Sequence, residues 1–176
     1  MKKIFFLILI LFYTNPINAL ELRGSFFQGN LIVGKIDSKS KIFVDKKKIK
    51  VSADGYFVFG LNKDRKNDVF IEVFNNGKTE TIIKKVYKKK YQIQRINGLP
   101  SKKVTPPKEF YKRIKDDNKL IAEARAVASE LTFFSNEFKL PIENKIITGV
   151  YGSQRILNGI PKSPHYGLDF AAKEGT

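Results

Sequence analysis

From Gly24 onward, apolar residues fall in short runs that break at glycine, asparagine and aspartate. Residues 26–36 form an apolar run punctuated by glycine. Lys41–Val44 and residues 48–51 flank the polar Asp45-Lys46-Lys47, which predicts a hairpin. Ala53-Asp54-Gly55 predicts a turn ahead of Tyr56-Phe57-Val58-Phe59. Asn75-Asn76-Gly77 predicts another, between residues 69–74 and 79–86. Turns at this regular spacing predict a β-rich N-terminal domain over residues 20–97, an antiparallel β-sandwich or barrel. Its aromatics Phe57, Phe59, Phe70 and Phe74 are expected in the core.

The pattern then changes. The run Gly98-Leu99-Pro100-Ser101-Lys102-Lys103-Val104-Thr105-Pro106-Pro107 reads as a linker. Two prolines suit a helix start and forbid a helix interior, so Thr105 is expected as N-cap and Pro106 at the first helical position. Phe110, Ile114, Ile121, Ala124, Ala128 and Leu131 recur at helical spacing, predicting an amphipathic helix to about Phe134. Its apolar side is expected to pack on a neighbouring domain. Residues 98–139 are thus linker and helix, and Leu140-Pro141-Ile142 opens the last segment, 140–176.

The N-terminus reads as an address. Lys2 and Lys3 precede an apolar run from Ile4 to Tyr13, and Asn18-Ala19 ends in a small residue. This is the layout of a secretory signal peptide, residues 1–19, with cleavage expected after Ala19. So short an apolar run does not span a hydrocarbon core of about 30 Å as a helix. No stable membrane span is therefore expected after cleavage, and the mature chain is expected in the periplasm or cell envelope. The chain has no cysteine, so no disulfide supports it.

Charge narrows the partners. With 33 Lys and Arg against 17 Asp and Glu, the chain carries a formal net charge of +16. Inside a cell such a balance points to nucleic acid. After export the available polyanions are cell-wall polymers and lipid head groups. The sequence also shows neither an RNA-binding aromatic signature nor a DNA-reading helix, so a nucleic-acid partner is not expected. Lysine runs such as Lys46-Lys47-Lys48 and Lys88-Lys89-Lys90 read as solvated strand faces and turns.

The candidate chemistry lies near the C-terminus. His165 is the one histidine in the chain, and Asp169 follows four residues later with Gly167 between them. Neutral imidazole and carboxylate are both ligands for Zn²⁺. On an extended strand, i and i+4 share a face, so both can reach one ion, with Gly167 leaving room. Gly167 and the upstream Pro161 and Pro164 disfavour a helix there. The plainer alternative is a half-buried imidazole hydrogen-bonded to a neighbouring carboxylate. Ser163 has no histidine base to activate it once His165 binds metal. Arg155 and Lys162 are expected to be solvated.

The run Gly149-Val150-Tyr151-Gly152-Ser153-Gln154-Arg155, continuing to His165-Tyr166-Gly167-Leu168-Asp169, resembles the first metal-binding motif of the lysostaphin/LytM-type zinc metalloendopeptidases. In that family a turn of the form Ser/Gly-x-Phe/Tyr-Gly-x-x-Arg leads into His-x-Gly-x-Asp, then small apolar residues and Gly-Thr. Ala171-Ala172-Lys173-Glu174-Gly175-Thr176 fits that continuation. The resemblance implies a mainly β architecture: the N-terminal β domain, the connecting helix, and the first strands of an antiparallel β metallopeptidase domain over 140–176. Strands without their pairing partners are expected to expose edges.

It also implies hydrolysis of peptide cross-links in peptidoglycan with one Zn²⁺, His165 and Asp169 being two of its three protein ligands. The third ligand and a catalytic histidine come, in the family, from a downstream His-x-His. This chain has no further histidine, so the expectation is an N-terminal part of such an enzyme, inactive as it stands, with no catalytic residue of its own. The alternative is a non-catalytic exported envelope protein that binds peptidoglycan or regulates another hydrolase. A plain secreted β-sandwich module, with the His/Asp pair incidental, is a third.

Overall fold

The structure is a computed structural model that describes residues 20–143 and 146–176. The expected signal peptide lies outside the described residues. The chain is mainly β, with antiparallel sheets.

Seven strands build the N-terminal part. These are β1 (Glu21–Arg23), β2 (Leu31–Lys35), β3 (Lys41–Val44), β4 (Lys47–Ile49), β5 (Tyr56–Gly60), β6 (Val69–Asn75) and β7 (Lys78–Lys84). One sheet has the order β1-β2-β5 and the other β4-β3-β6-β7, all neighbours antiparallel. Their inner faces share one core of Ile32, Ile36, Ile42, Val44, Phe57, Phe59, Leu61, Val69, Ile71 and Val73. Two sheets closing on one apolar layer are a sandwich.

Turn chemistry sets the register. Asp45 and Lys46 both have positive φ, 50° and 68°, and Asn76-Gly77 follow suit at 48° and 73°. Positive φ at both central residues is what a two-residue hairpin matching strand twist requires. The period of two then decides which side chains point inward. In β6, Val69, Ile71 and Val73 are buried while Phe70 and Phe74 face outward. The expected core position of those two phenylalanines is therefore corrected. Phe74 instead packs edge-on against Phe43, ring centroids 5.3 Å apart. Phe57 and Phe59 are core, and Phe57 lies over Gly34, its register partner in β2.

A further strand, β8 (Ile93–Ile96), follows the sandwich. Then come a short helix α1 (Ser101–Val104), a 3-10 turn at Lys108–Phe110, and α2 (Tyr111–Ala126). The long helix thus starts later than the expected Thr105 cap. A residue before proline is pushed out of the α region, so Pro106, preceding Pro107, does not open a helix. Its end also comes earlier, with Val127 extended. Residues 108–131 are all exposed, so the expected packing of an apolar helix face is not found among the described residues. Past α2 the chain returns to the sandwich, where Lys50 pairs with Glu130. Among the described residues, no helix is long and apolar enough to cross a membrane.

The C-terminal strands are β9 (Ile147–Gly149), β10 (Gln154–Leu157), β11 (Ile160–Pro161) and β12 (Asp169–Phe170). β9 and β12 pair antiparallel, with Asp169 opposite Gly149. β10 joins β11 through the Asn158-Gly159 hairpin, both at positive φ, and on its other side takes β8 in parallel. The segment after the sandwich therefore adds a strand to the sheet that carries Arg155.

Candidate metal centre

His165 and Asp169 are brought together. The imidazole Nε2 lies 3.1 Å from the Asp169 Oδ1. The route differs from the expected continuous strand. Only Asp169 belongs to a strand, and Ser163–Leu168 form no regular element. His165 is held instead by its backbone. The Gly152 N–H donates to the His165 carbonyl at 2.7 Å, and the His165 N–H donates to the Ser153 carbonyl at 2.8 Å. Ser153 is fully buried, and its hydroxyl donates to the Val150 carbonyl at 2.8 Å. Gly152 has φ +85°, and this left-handed conformation favours glycine. A tight 150–153 turn thus clamps the histidine segment.

The imidazole is left with an unmet need. Nε2 is shielded from solvent and has no hydrogen-bond partner; its 3.1 Å approach to Oδ1 lacks hydrogen-bond geometry. Buried polar groups without partners are rare in folded proteins. Two ligands at ordinary zinc distances on a tetrahedral ion stand about 3.3 Å apart. The observed separation is close to that. The residues present thus fit two corners of a tetrahedral Zn²⁺ site. Among the described residues no group of three or more His, Cys, Asp or Glu converges, so a third protein donor is not found there. The room expected at Gly167 does not depend on glycine, since a Cβ there would stand 3.6 Å from the His165 Cε1, an ordinary van der Waals contact.

Asp169 has a second partner. The Arg155 Nη2 donates to Asp169 Oδ2 at 3.0 Å, and the Arg155 Nε donates to Gln94 Oε1 at 3.2 Å. Arg155, expected to be solvated, is instead bonded on both sides and half-buried. Gly149 makes this possible, because a Cβ there would meet Asp169 Oδ2 at 2.5 Å and Arg155 Nη2 at 3.1 Å. Gln94 carried no local signal in the sequence; its role arises from strand pairing across some sixty residues, as the register partner of Arg155. Gly149 opens the glycine-containing run, and its place against the Asp169–Arg155 contact comes from its pairing with Asp169.

The sandwich reaches the same turn through Tyr91. Its hydroxyl donates to the Gln28 carbonyl at 2.9 Å, and its ring lies against Gly152. Burial is the main cause that raises the Tyr91 pKa above its ordinary value, with Tyr151 adding to it. Tyr151 meets Tyr166 edge-on, centroids 6.1 Å apart, beside His165. A scan against protein-family models finds no match along the chain, and a search of curated proteins finds none either.

Proposed function

We propose that this chain carries two corners of the zinc site of an exported metalloendopeptidase that cleaves peptide cross-links of peptidoglycan. The observation that carries the reading is the solvent-shielded, unpartnered His165 Nε2 facing Asp169 Oδ1 at 3.1 Å. A neutral imidazole and a carboxylate so placed would hold Zn²⁺, with His165 giving Nε2 and Asp169 giving Oδ1. When bound, the ion supplies Lewis acidity and lowers the pKa of water toward about 7. The 150–153 turn orients the imidazole, and Arg155 orients the carboxylate. A basic chain beyond the cytosol suits an anionic wall polymer.

Catalytic zinc ordinarily has three protein ligands. Two donors hold the ion weakly, so these 176 residues by themselves are expected to leave peptidoglycan uncut. The test uses the full-length protein on purified peptidoglycan. Release of soluble cross-link peptides should need zinc and vanish in His165→Ala. Equal release by wild type and variant, or zinc content unchanged by the substitution, overturns the reading; no release by the wild type leaves a non-catalytic envelope protein.

A further inference from the structure

We propose that Gln94 and Arg155 are positioning residues that present Asp169 to a divalent cation through one oxygen only, Oδ1. The inference rests on the metal reading above and extends it to a strand outside the histidine–aspartate segment.

Asp169 needs an external restraint. Its side chain is 43% exposed, and the β9–β12 register is irregular between Asp169 and Phe170. A carboxylate in such a place rotates freely unless something takes one of its oxygens. Arg155 takes Oδ2 at 3.0 Å, which leaves Oδ1 turned toward His165 Nε2. A guanidinium is planar, so fixing its Nε end sets the direction of its Nη2 donor. Gln94 Oε1 fixes that end at 3.2 Å. The parallel pairing of β8 with β10 places Gln94 opposite Arg155 and keeps it there.

The result is a relay in which each group restrains the next: strand β8, Gln94, Arg155, Asp169. Outer-shell partners of this kind orient metal ligands, and losing one typically weakens metal affinity by about 10–100-fold. Here they also forbid bidentate capture of the ion by Asp169, because Oδ2 is already engaged. Gly149 belongs to the same device, since a side chain there would occupy the place of Oδ2 and Nη2.

The one histidine makes the test clean. Full chain with ¹⁵N-labelled imidazole is titrated with Zn²⁺ alone, and the Nε2 resonance is followed. In wild type it should shift on binding. Arg155→Ala should weaken the apparent affinity about tenfold and Gln94→Ala in the same direction by less. Arg155→Lys should fail to rescue, because an ammonium cannot bridge Gln94 and Asp169 in the fixed geometry of the fork. Gln94→Glu keeps an acceptor for Nε and should stay within about twofold of wild type. Backbone amide shifts of β8 and β10 report whether each variant keeps the sheet.

Absence of any Nε2 shift in wild type overturns the metal reading and this inference with it. A wild-type shift with equal affinity in Gln94→Ala and Arg155→Ala overturns the positioning role alone. So does a Gln94→Glu variant that loses as much as Gln94→Ala, for the side chain would then serve packing only. Should Arg155→Ala disturb the sheet, Gln94→Ala and Arg155→Lys decide.

Discussion

Gly152 is the point where the sandwich and the candidate metal turn press on each other, and replacing it separates two costs. It has φ +85°, and a Cβ would stand 2.1 Å from Tyr91 Cε1 and 2.3 Å from Cδ1. Forcing an L-residue into the left-handed region costs about 1–2 kcal/mol. Overpacking a filled site costs about 1–3 kcal/mol more. Tyr91 has little freedom to retreat, because its hydroxyl donates to Gln28 and lies close to Gly29. Gly152→Ala should therefore destabilise by about 2–5 kcal/mol. Gly159→Ala is the control. It has φ +79° with nothing within 4 Å of a Cβ, so it should lose only the backbone cost.

The assay is urea unfolding followed by circular dichroism, with Tyr91→Ala made alone and together with Gly152→Ala. If the ring is what the new methyl meets, Tyr91→Ala costs less in the Gly152→Ala background than in wild type. The coupling should be about 1–3 kcal/mol, the size of the steric part. Additivity of the two substitutions within about 0.5 kcal/mol would refute the reasoning. So would a Gly159→Ala variant as damaged as Gly152→Ala.

The sandwich supports two more predictions. Arg65 donates hydrogen bonds to both Asp45 oxygens, and this, chiefly, holds the Asp45 pKa below its ordinary 3.8 against the opposing effect of burial. A carboxylate whose folded pKa is depressed stabilises above its unfolded pKa, and the benefit fades as pH falls through the depressed value. Asp45→Asn keeps a residue tolerant of positive φ and should cost about 1 kcal/mol at neutral pH. Urea midpoints of variant and wild type should converge as the solution is acidified below that ordinary value; a gap constant with pH would contradict the assignment. Phe57→Ala should cost about 3–5 kcal/mol, since the side chain is fully buried. Phe70→Ala, on the outer face of β6, should cost less than about 1 kcal/mol. Denaturant unfolding of the pair checks which face is inside, and the reverse order would contradict the topology.

Where local chemistry decides the structure, the sequence was readable. Asn76-Gly77 sits in the hairpin its composition predicts, because few other residues tolerate positive φ at both positions; Asp45-Lys46 forms one as well, although lysine is not favoured at positive φ. Phe70 and Phe74 face outward against the expectation because alternation outweighs side-chain size, Val69, Ile71 and Val73 marking the inward face. The long helix starts at Tyr111 and not at Pro106, because Pro107 bars Pro106 from the α region. The parallel pairing of β8 with β10 was beyond local reading altogether. Nothing in Ile93–Ile96 names a partner some sixty residues away, and Gln94 gains its role only through that pairing.

In the His165–Asp169 pair the two side chains meet, but not by way of a continuous strand. A continuous strand would hold them on one face by period alone, and a single break would undo it. In this structure the donors converge because two backbone bonds fasten His165 to Gly152 and Ser153, while Arg155, two residues further on, fastens Asp169. Gly149, one turn earlier, opens the space that the Asp169–Arg155 contact fills. Four positions within residues 149–155 thus fix both donors. That dependence ties the glycine-containing turn ending in arginine to the histidine–aspartate segment in this chain. Either piece without the other leaves a rotating carboxylate or an untethered imidazole.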